Sequence, residues 1–313
     1  MSALLFPGQG SQVVGMCAEF YNNFNLVKNI FKAADEKLKY SISNLILKGP
    51  ENDLKLTENT QPAILTVSYS IFQVLKKEFN LNLNSFKFFA GHSLGEYSAL
   101  VCANSLKFED ALFLLHQRGK AMQTAVPLGK GSMLAVLGIK TFEIQNLINS
   151  IKDSIEVCEI ANDNAEGQVI VSGDIKSINY FQNSLKEKKV KSIPLKVSAP
   201  FHCSLMHSAA ENMKNKIKSI KFENLTHKIV NNVTAKPEEN AEKIKKLLVE
   251  QIFSTVRWRE SILLMSENGV NNFVEIGPGK VLTGMVKRTI KNSNCFSINS
   301  IADIKNLPNE FKK

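Results

Sequence analysis

The sequence predicts an α/β protein in two parts, a large domain on a mostly parallel sheet with a smaller unit inserted into it. Three observations predict it. Short apolar runs of strand length alternate with longer segments whose apolar residues recur at helical spacing across most of the 313 residues. Between Ser132 and Val197 the rhythm changes to strand, helix, strand, strand, helix, strand, the order of a ferredoxin-like unit. Turn-formers bracket that stretch, Pro127, Gly129 and Gly131 before it and Pro200 after it. The expected boundaries are therefore 1–127 and 200–313 for the large domain and 128–199 for the insert.

The first strand is expected over residues 3–6, where an apolar run stops at Pro7-Gly8-Gln9-Gly10. Phe20, Phe24, Val27, Phe31, Ala34 and Leu38 then repeat at helical spacing and predict one helix with a core-facing stripe. A second helix is expected from about Pro62, with the proline in its first turn and Ile64, Val67, Ile71, Val74, Leu75 and Phe79 behind it. Residues 86–90 form the next predicted strand, and 109–123 a helix. Inside the insert, strands are expected at 133–139, 155–160, 168–172 and 190–197, with helices at 141–151 and 175–187. Beyond Pro200 come a helix from about Ser204, a strand near Ile229, a helix from Ala241 and a strand at 273–276. Residues past Ile304 are expected to form a weakly held tail.

Composition excludes several classes. A hydrophobic share of 44% supports a sizeable core, and 22% charged residues does not suit disorder. No run approaches the roughly 18 apolar residues of a membrane span, and the start Met1 to Phe6 lacks the basic residues of a signal peptide. An unexported, cytoplasmic protein without membrane contact is expected. Five scattered cysteines, without a CxxC pair, read as reduced thiols and no metal site. The net charge of +10 suits an acidic partner. Nucleic acid fits poorly, because the lysines are dispersed and no zinc-finger spacing or aromatic RNA-binding signature accompanies them. A solvated basic surface or an acidic protein partner is left.

Residues 86–95, FKFFAGHSLG, read as a strand feeding a glycine-bracketed turn and a helix, the form of a nucleophile elbow in a hydrolase-like domain. Ser93 sits at its tip, either as nucleophile or merely as a helix cap. A serine nucleophile needs a base. Of the five histidines, His92 should leave the elbow in another direction and contact the pocket wall, while His116, His207 and His227 lie where structural residues would. His202 differs, standing on a proline-bent loop where the chain returns from the insert. Arg118 falls near the apolar face of its helix by its spacing from Leu114 and Leu115, so it needs an anion: a bound carboxylate, or a salt bridge to Glu109 or Asp110. No carboxylate stands out as an orienting partner for His202. Gly277-Pro278-Gly279-Lys280 does not match a phosphate-loop spacing and reads as a strand-to-helix turn.

Five motifs in order, FPGQGSQ (6–12), GHSLGEYSA (91–99), QRG (117–119), NDNAEGQVIVSG (162–173) and SAPFHCSLM (198–206), followed by GPGKVLTGMVKR ending at Arg288, together resemble the malonyl-CoA:acyl-carrier-protein transacylase family. The resemblance implies Ser93 as nucleophile, His202 as general base, and the backbone N–H groups of Gln9 and Leu94 as oxyanion donors. It implies that Arg118 grips the free carboxylate of malonyl, and that the backbone carbonyl of Gln251 orients His202. Asn162 and Asn164 would order the pocket, although turn formation explains them equally. Phe201 would disfavour a methyl branch on the acyl group. The implied substrate is malonyl-CoA, with no permanently bound cofactor, and the implied partner an acidic acyl carrier protein serving fatty acid synthesis, met by a monomer. The alternatives are a serine esterase or thioesterase, needing an acid from among Asp110, Asp153, Asp163 and Asp174, an acyltransferase for another acyl-CoA, or a non-catalytic carrier-binding protein.

Overall fold

The computed structural model describes residues 1–195, 197 and 199–311. Its strands are β1 (Ser2–Phe6), β2 (Phe86–Gly91), β3 (Gly131–Leu137), β4 (Cys158–Ala165), β5 (Gln168–Asp174), β6 (Lys191–Pro194), β7 (Lys228–Val230), β8 (Pro237–Glu238), β9 (Asn272–Ile276) and β10 (Asn294–Ile298). They form two sheets. The larger has the order β10-β9-β1-β2-β7-β8 and is parallel except for β8. Alternation along β1 explains why Ala3, Leu4, Leu5 and Phe6 are all apolar. Leu4 and Phe6 face the main core and Ala3 and Leu5 a second cluster with Trp258, Ile262 and Val286, so helices cover both faces. Phe6 pairs with Gly91, which brings the ends of β1 and β2 side by side at the carboxyl edge of the sheet.

The smaller sheet is antiparallel in the order β4-β5-β3-β6, the ferredoxin-like arrangement. Its two faces have different duties. Leu134, Val136, Val169 and Val171 pack with Ile144, Ile178 and Phe181 of the helices Thr141–Ser150 and Ile175–Glu187, whereas Met133, Ala135 and Ile170 turn the other way and join the main core. Among the described residues, no helix is long and apolar enough to cross a membrane.

Several predicted elements need correction. The first helix is two, Ala18–Asn23 and Asn25–Leu38, separated by Phe24 in an extended conformation. One extended residue turns the chain while Phe24 still packs between Phe20 and Phe79, with ring centroids 6.2 and 6.3 Å away, so the stripe survives the break. The second helix runs over Thr57–Glu78 and starts before Pro62, which lies inside it. Pro62 cannot donate to the Glu58 carbonyl, and His116 Nδ1 donates to it instead at 3.0 Å. The short helices Ile42–Lys48 and Glu51–Leu54 were not predicted. β4 extends through Asn162 and Asn164, which therefore are not turn-formers. A short parallel pairing, Asp163 N–H to the Val256 carbonyl at 3.0 Å and Val256 N–H to that of Ala161 at 2.9 Å, holds these polar residues extended. The predicted strand 190–197 is formed only over Lys191–Pro194, and Lys196 and Ser198 lie outside the described residues. The predicted loose tail is docked as far as Phe311, which is fully buried with its ring 5.3 Å from Phe86 and 5.9 Å from Phe296; Lys312 and Lys313 lie outside the described residues.

Candidate active site

The turn after β2 can be this sharp only because it is built on glycine. A Cβ on Gly91 would lie 1.9 Å from the Gly95 carbonyl carbon, and one on Gly95 would lie 2.2 Å from the Phe6 carbonyl oxygen. Between them Ser93 adopts φ +53°, a conformation that L-residues hold only when the surroundings impose it. Here Asn232 imposes it from both sides, accepting the Ser93 N–H at 2.7 Å and donating to the Gly91 carbonyl at 2.8 Å. Leu94 follows Ser93 at the start of the helix Gly95–Cys102, where backbone N–H groups lack helical acceptors.

His202, also in the left-handed region at φ +58°, meets the elbow from the loop behind the smaller sheet. Ser93 Oγ lies 2.8 Å from His202 Nε2, and His202 Nδ1 lies 2.8 Å from the Gln251 carbonyl. A carbonyl only accepts, so Nδ1 carries the proton and Nε2 is left free to accept from Ser93. Burial, and next the charge of Arg118, push the imidazole down to about 3 from 6.5, so it stands neutral at physiological pH.

Arg118 is 1% exposed in the helix Phe108–Thr124. Gly119 lets that helix approach Thr57–Glu78 closely, since a Cβ there would come within 2.5 Å of Glu58 Cα. The guanidinium donates to Gln61 Oε1 at 2.8 Å, Gln251 Oε1 at 3.0 Å and Ser93 Oγ at 3.1 Å, all neutral acceptors. Its Nε is buried without a hydrogen-bond partner among the described residues. The expected alternative, a salt bridge to Glu109 or Asp110, is not made among the described residues; Asp110 pairs with Lys37. Burial lowers the Arg118 pKa, chiefly against the opposing influence of Tyr97, whose ring centroid lies 5.8 Å from Arg118 Cζ.

A cavity of about 200 Å³ opens beside these groups. Gln9, His92, Ser93, Leu94, Arg118, Asn162, Asn164, Phe201 and His202 all line it, and Gln251 stands behind them. His92 Nε2 meets Asn164 Oδ1 at 2.8 Å, tying the elbow to β4, and burial holds its pKa below the usual histidine range. None of the four candidate acids orients His202. Asp163 is paired with Arg259 at 2.9 Å, Asp174 caps the helix Ile175–Glu187, Asp110 serves Lys37 and Asp153 is exposed. The serine therefore has a base oriented by a main-chain oxygen and a buried cation beside its hydroxyl.

Known proteins resemble this chain over nearly its whole length. The acyl transferase domain family matches residues 3–311. A malonyl CoA-acyl carrier protein transacylase of Haemophilus influenzae is 41% identical over 310 residues, 99% of this chain and 98% of the relative, and one of Bacillus subtilis is 41% identical over 287 residues, 91% and 89%. The chain belongs to the malonyl-CoA:acyl-carrier-protein transacylase family. Among solved structures, an acyl-carrier-protein S-malonyltransferase from Bartonella henselae superimposes with a TM-score of 0.94 at 39% identity, covering 98% of each chain. A malonyl-transacylase in complex with a type II PKS acyl-carrier protein gives 0.93 at 38% identity, covering 97% of each.

Sequence reasoning missed four residues of this transacylase site. Gln61 holds Arg118, Asn232 clamps the elbow, and Glu96 and Asn231 lie behind it. Glu96 carries a legible signal, a lone carboxylate opening an otherwise apolar helix directly after the elbow. Asn232 has a weaker one, its place just past the carboxyl end of a sheet strand. Gln61 has none, because only the packing of two helices brings it to Arg118.

Proposed function

We propose that this chain transfers a malonyl group from malonyl-CoA to the phosphopantetheine thiol of acyl carrier protein through an ester on Ser93. The observation that carries the reading is that Ser93 Oγ lies 2.8 Å from His202 Nε2 and 3.1 Å from Arg118 Nη2. In malonyl the two carboxyl carbons are only about 2.5 Å apart by bond geometry. A carboxylate held by Arg118 thus leaves the thioester carbon within reach of Oγ. Binding of that anion also counters the charge of Arg118, the second cause of the depressed His202 pKa, and makes the imidazole a better base when substrate is present.

His202 Nε2 then takes the Ser93 proton as Oγ attacks the thioester carbon. The backbone N–H groups of Gln9 and Leu94 receive the oxyanion, and the carbon–sulfur bond breaks as coenzyme A leaves with the proton from His202. The carrier thiol repeats the sequence in reverse, giving up its proton to His202, attacking the ester and returning Ser93 to its hydroxyl. Water must stay out between the two halves, and the apolar wall of Met133, Ile170 and Phe201 supports that. Phe201 disfavours a methyl branch on the acyl group. The setting we propose is a cytoplasmic monomer without a resident cofactor, meeting an acidic carrier through its basic surface.

Mixing the protein with malonyl-CoA and weighing it tests this reading. A malonyl adduct on Ser93 that persists until carrier thiol is added is expected. Absence of any adduct, or its rapid hydrolysis in water, overturns it.

A further inference from the structure

Behind the elbow lies a carboxylate that the chemistry above does not use. Glu96 is fully buried in the first turn of the helix that follows Ser93, with no cation among the described residues in its hydrogen-bond shell. It accepts from the Asn231 side chain, the Asn232 backbone N–H at 3.1 Å and Gln251 Nε2 at 2.8 Å. The same Gln251 amide nitrogen reaches the Ser93 carbonyl and Asn232 Oδ1, each at 3.2 Å.

An amide side chain has one accepting and one donating end, and its neighbours decide which way it faces. Every acceptor around Gln251 calls for the NH₂ end, foremost Glu96: burial pushes its pKa up to about 7, but the three N–H donors that surround it hold it as an acceptor. Oε1 must therefore point the other way, at Arg118 Nη2, 3.0 Å off. Reversed, the amide would set donor against donor at a buried guanidinium. We infer that Glu96 is the positioning residue of this site: by fixing the orientation of Gln251 and Asn232 it holds Arg118 and the Ser93 turn in register. The inference rests on the proposed malonyl transfer and on Arg118 as the carboxylate grip.

Glu96→Gln keeps the size but replaces one accepting oxygen with a donor, so it can no longer satisfy all three partners. Rates of adduct formation on Ser93 are measured for wild type and variant with malonyl-CoA and with acetyl-CoA. Acetyl has no carboxylate for Arg118, so loss of register at the guanidinium falls on malonyl alone. The variant is expected to lose its preference for malonyl by about tenfold, the worth of one charged hydrogen bond, on top of a smaller loss shared by both donors. Equal losses for the two donors, the mark of a merely structural defect, overturn the inference, and so does an unchanged preference. If E96Q does not fold, Glu96→Asp reads the same way, because a carboxylate one methylene shorter cannot span to Gln251: its preference falls at least threefold, or the inference is wrong. Wild type run alongside separates the two failures. Without a wild-type malonyl adduct the transfer reading itself falls and takes the role of Glu96 with it; with one, an unaltered variant removes only the role of Glu96.

Discussion

The two sheets meet at one cavity and contribute to it by different means. The six-stranded sheet supplies reactive groups from the carboxyl edge of parallel strands, and it does so through strain held by polar contacts: Ser93 sits at φ +53° between the hydrogen bonds of Asn232. In the four-stranded sheet the alternation of β3 and β5 supplies an apolar wall from one face, Met133 and Ile170, while the other face, Leu134 and Val171, serves its own helices. Chemistry is thus set mainly by a few hydrogen bonds on one side and substrate fit mainly by side-chain volume on the other, with Asn164 of β4 joining the two through His92. Changes on the first side should act on rate, and changes on the second on fit or stability.

The largest effect is expected at the elbow. Ser93→Ala should abolish the acyl adduct and lower transfer by on the order of 1,000-fold or more; a labelled ester persisting on that variant would refute the nucleophile. Arg118→Ala should cost malonyl transfer about 10- to 100-fold more than acetyl transfer, since it removes one charged pairing. Equal losses would make Arg118 a packing residue. Across the cavity, Ile170→Ala should raise KM several-fold with kcat little changed, whereas Val171→Ala, one residue on and facing the other way, should cost about 1–3 kcal/mol of stability and leave KM alone. Identical behaviour of the two would erase the distinction between the faces.

Protonation offers a finer test. With its pKa pushed down to about 3 from 6.5, His202 should keep its neutral NMR signature down to about pH 5, and a midpoint near 6.5 would contradict the burial argument. The sign for stability follows. The unfolded imidazole takes up a proton as the pH falls through 6.5 while the folded one does not, so this residue removes stability progressively from pH 6.5 toward about 3. The smallest effect is expected far from the chemistry. His116→Ala, which leaves the Glu58 carbonyl beside Pro62 without its donor, should cost about 1 kcal/mol by denaturant unfolding, with transfer unchanged.

Much of this was legible in the chain because the signals are local. Apolar spacing is a property of neighbours along the sequence and predicted the elements of both sheets, and the paired glycines of Gly91-His92-Ser93-Leu94-Gly95 predicted the elbow. It failed where distant residues overrule local preference: Asn162 and Asn164 are drawn into β4 by pairing with the segment around Val256, and Phe311 is drawn out of a tail by the rings of Phe86 and Phe296. The family resemblance supplied Ser93, His202, Arg118 and Gln251 as a set, yet no spacing between them reveals a distance.

By itself, then, the sequence determined which residues could react, where the glycines permit a sharp turn, and that a four-stranded unit interrupts a larger parallel sheet. Only the tertiary structure decided that Ser93, His202 and the Gln251 carbonyl come within hydrogen-bond distance, that Arg118 meets neutral acceptors in place of a carboxylate, and that Gln61, Glu96 and Asn232 belong to the site. The physical reason is one of range. Strand and helix periodicity is written in contacts a few residues apart, whereas the polarity of a buried hydrogen bond depends on every group that closes around it, and those groups come from widely separated parts of the chain.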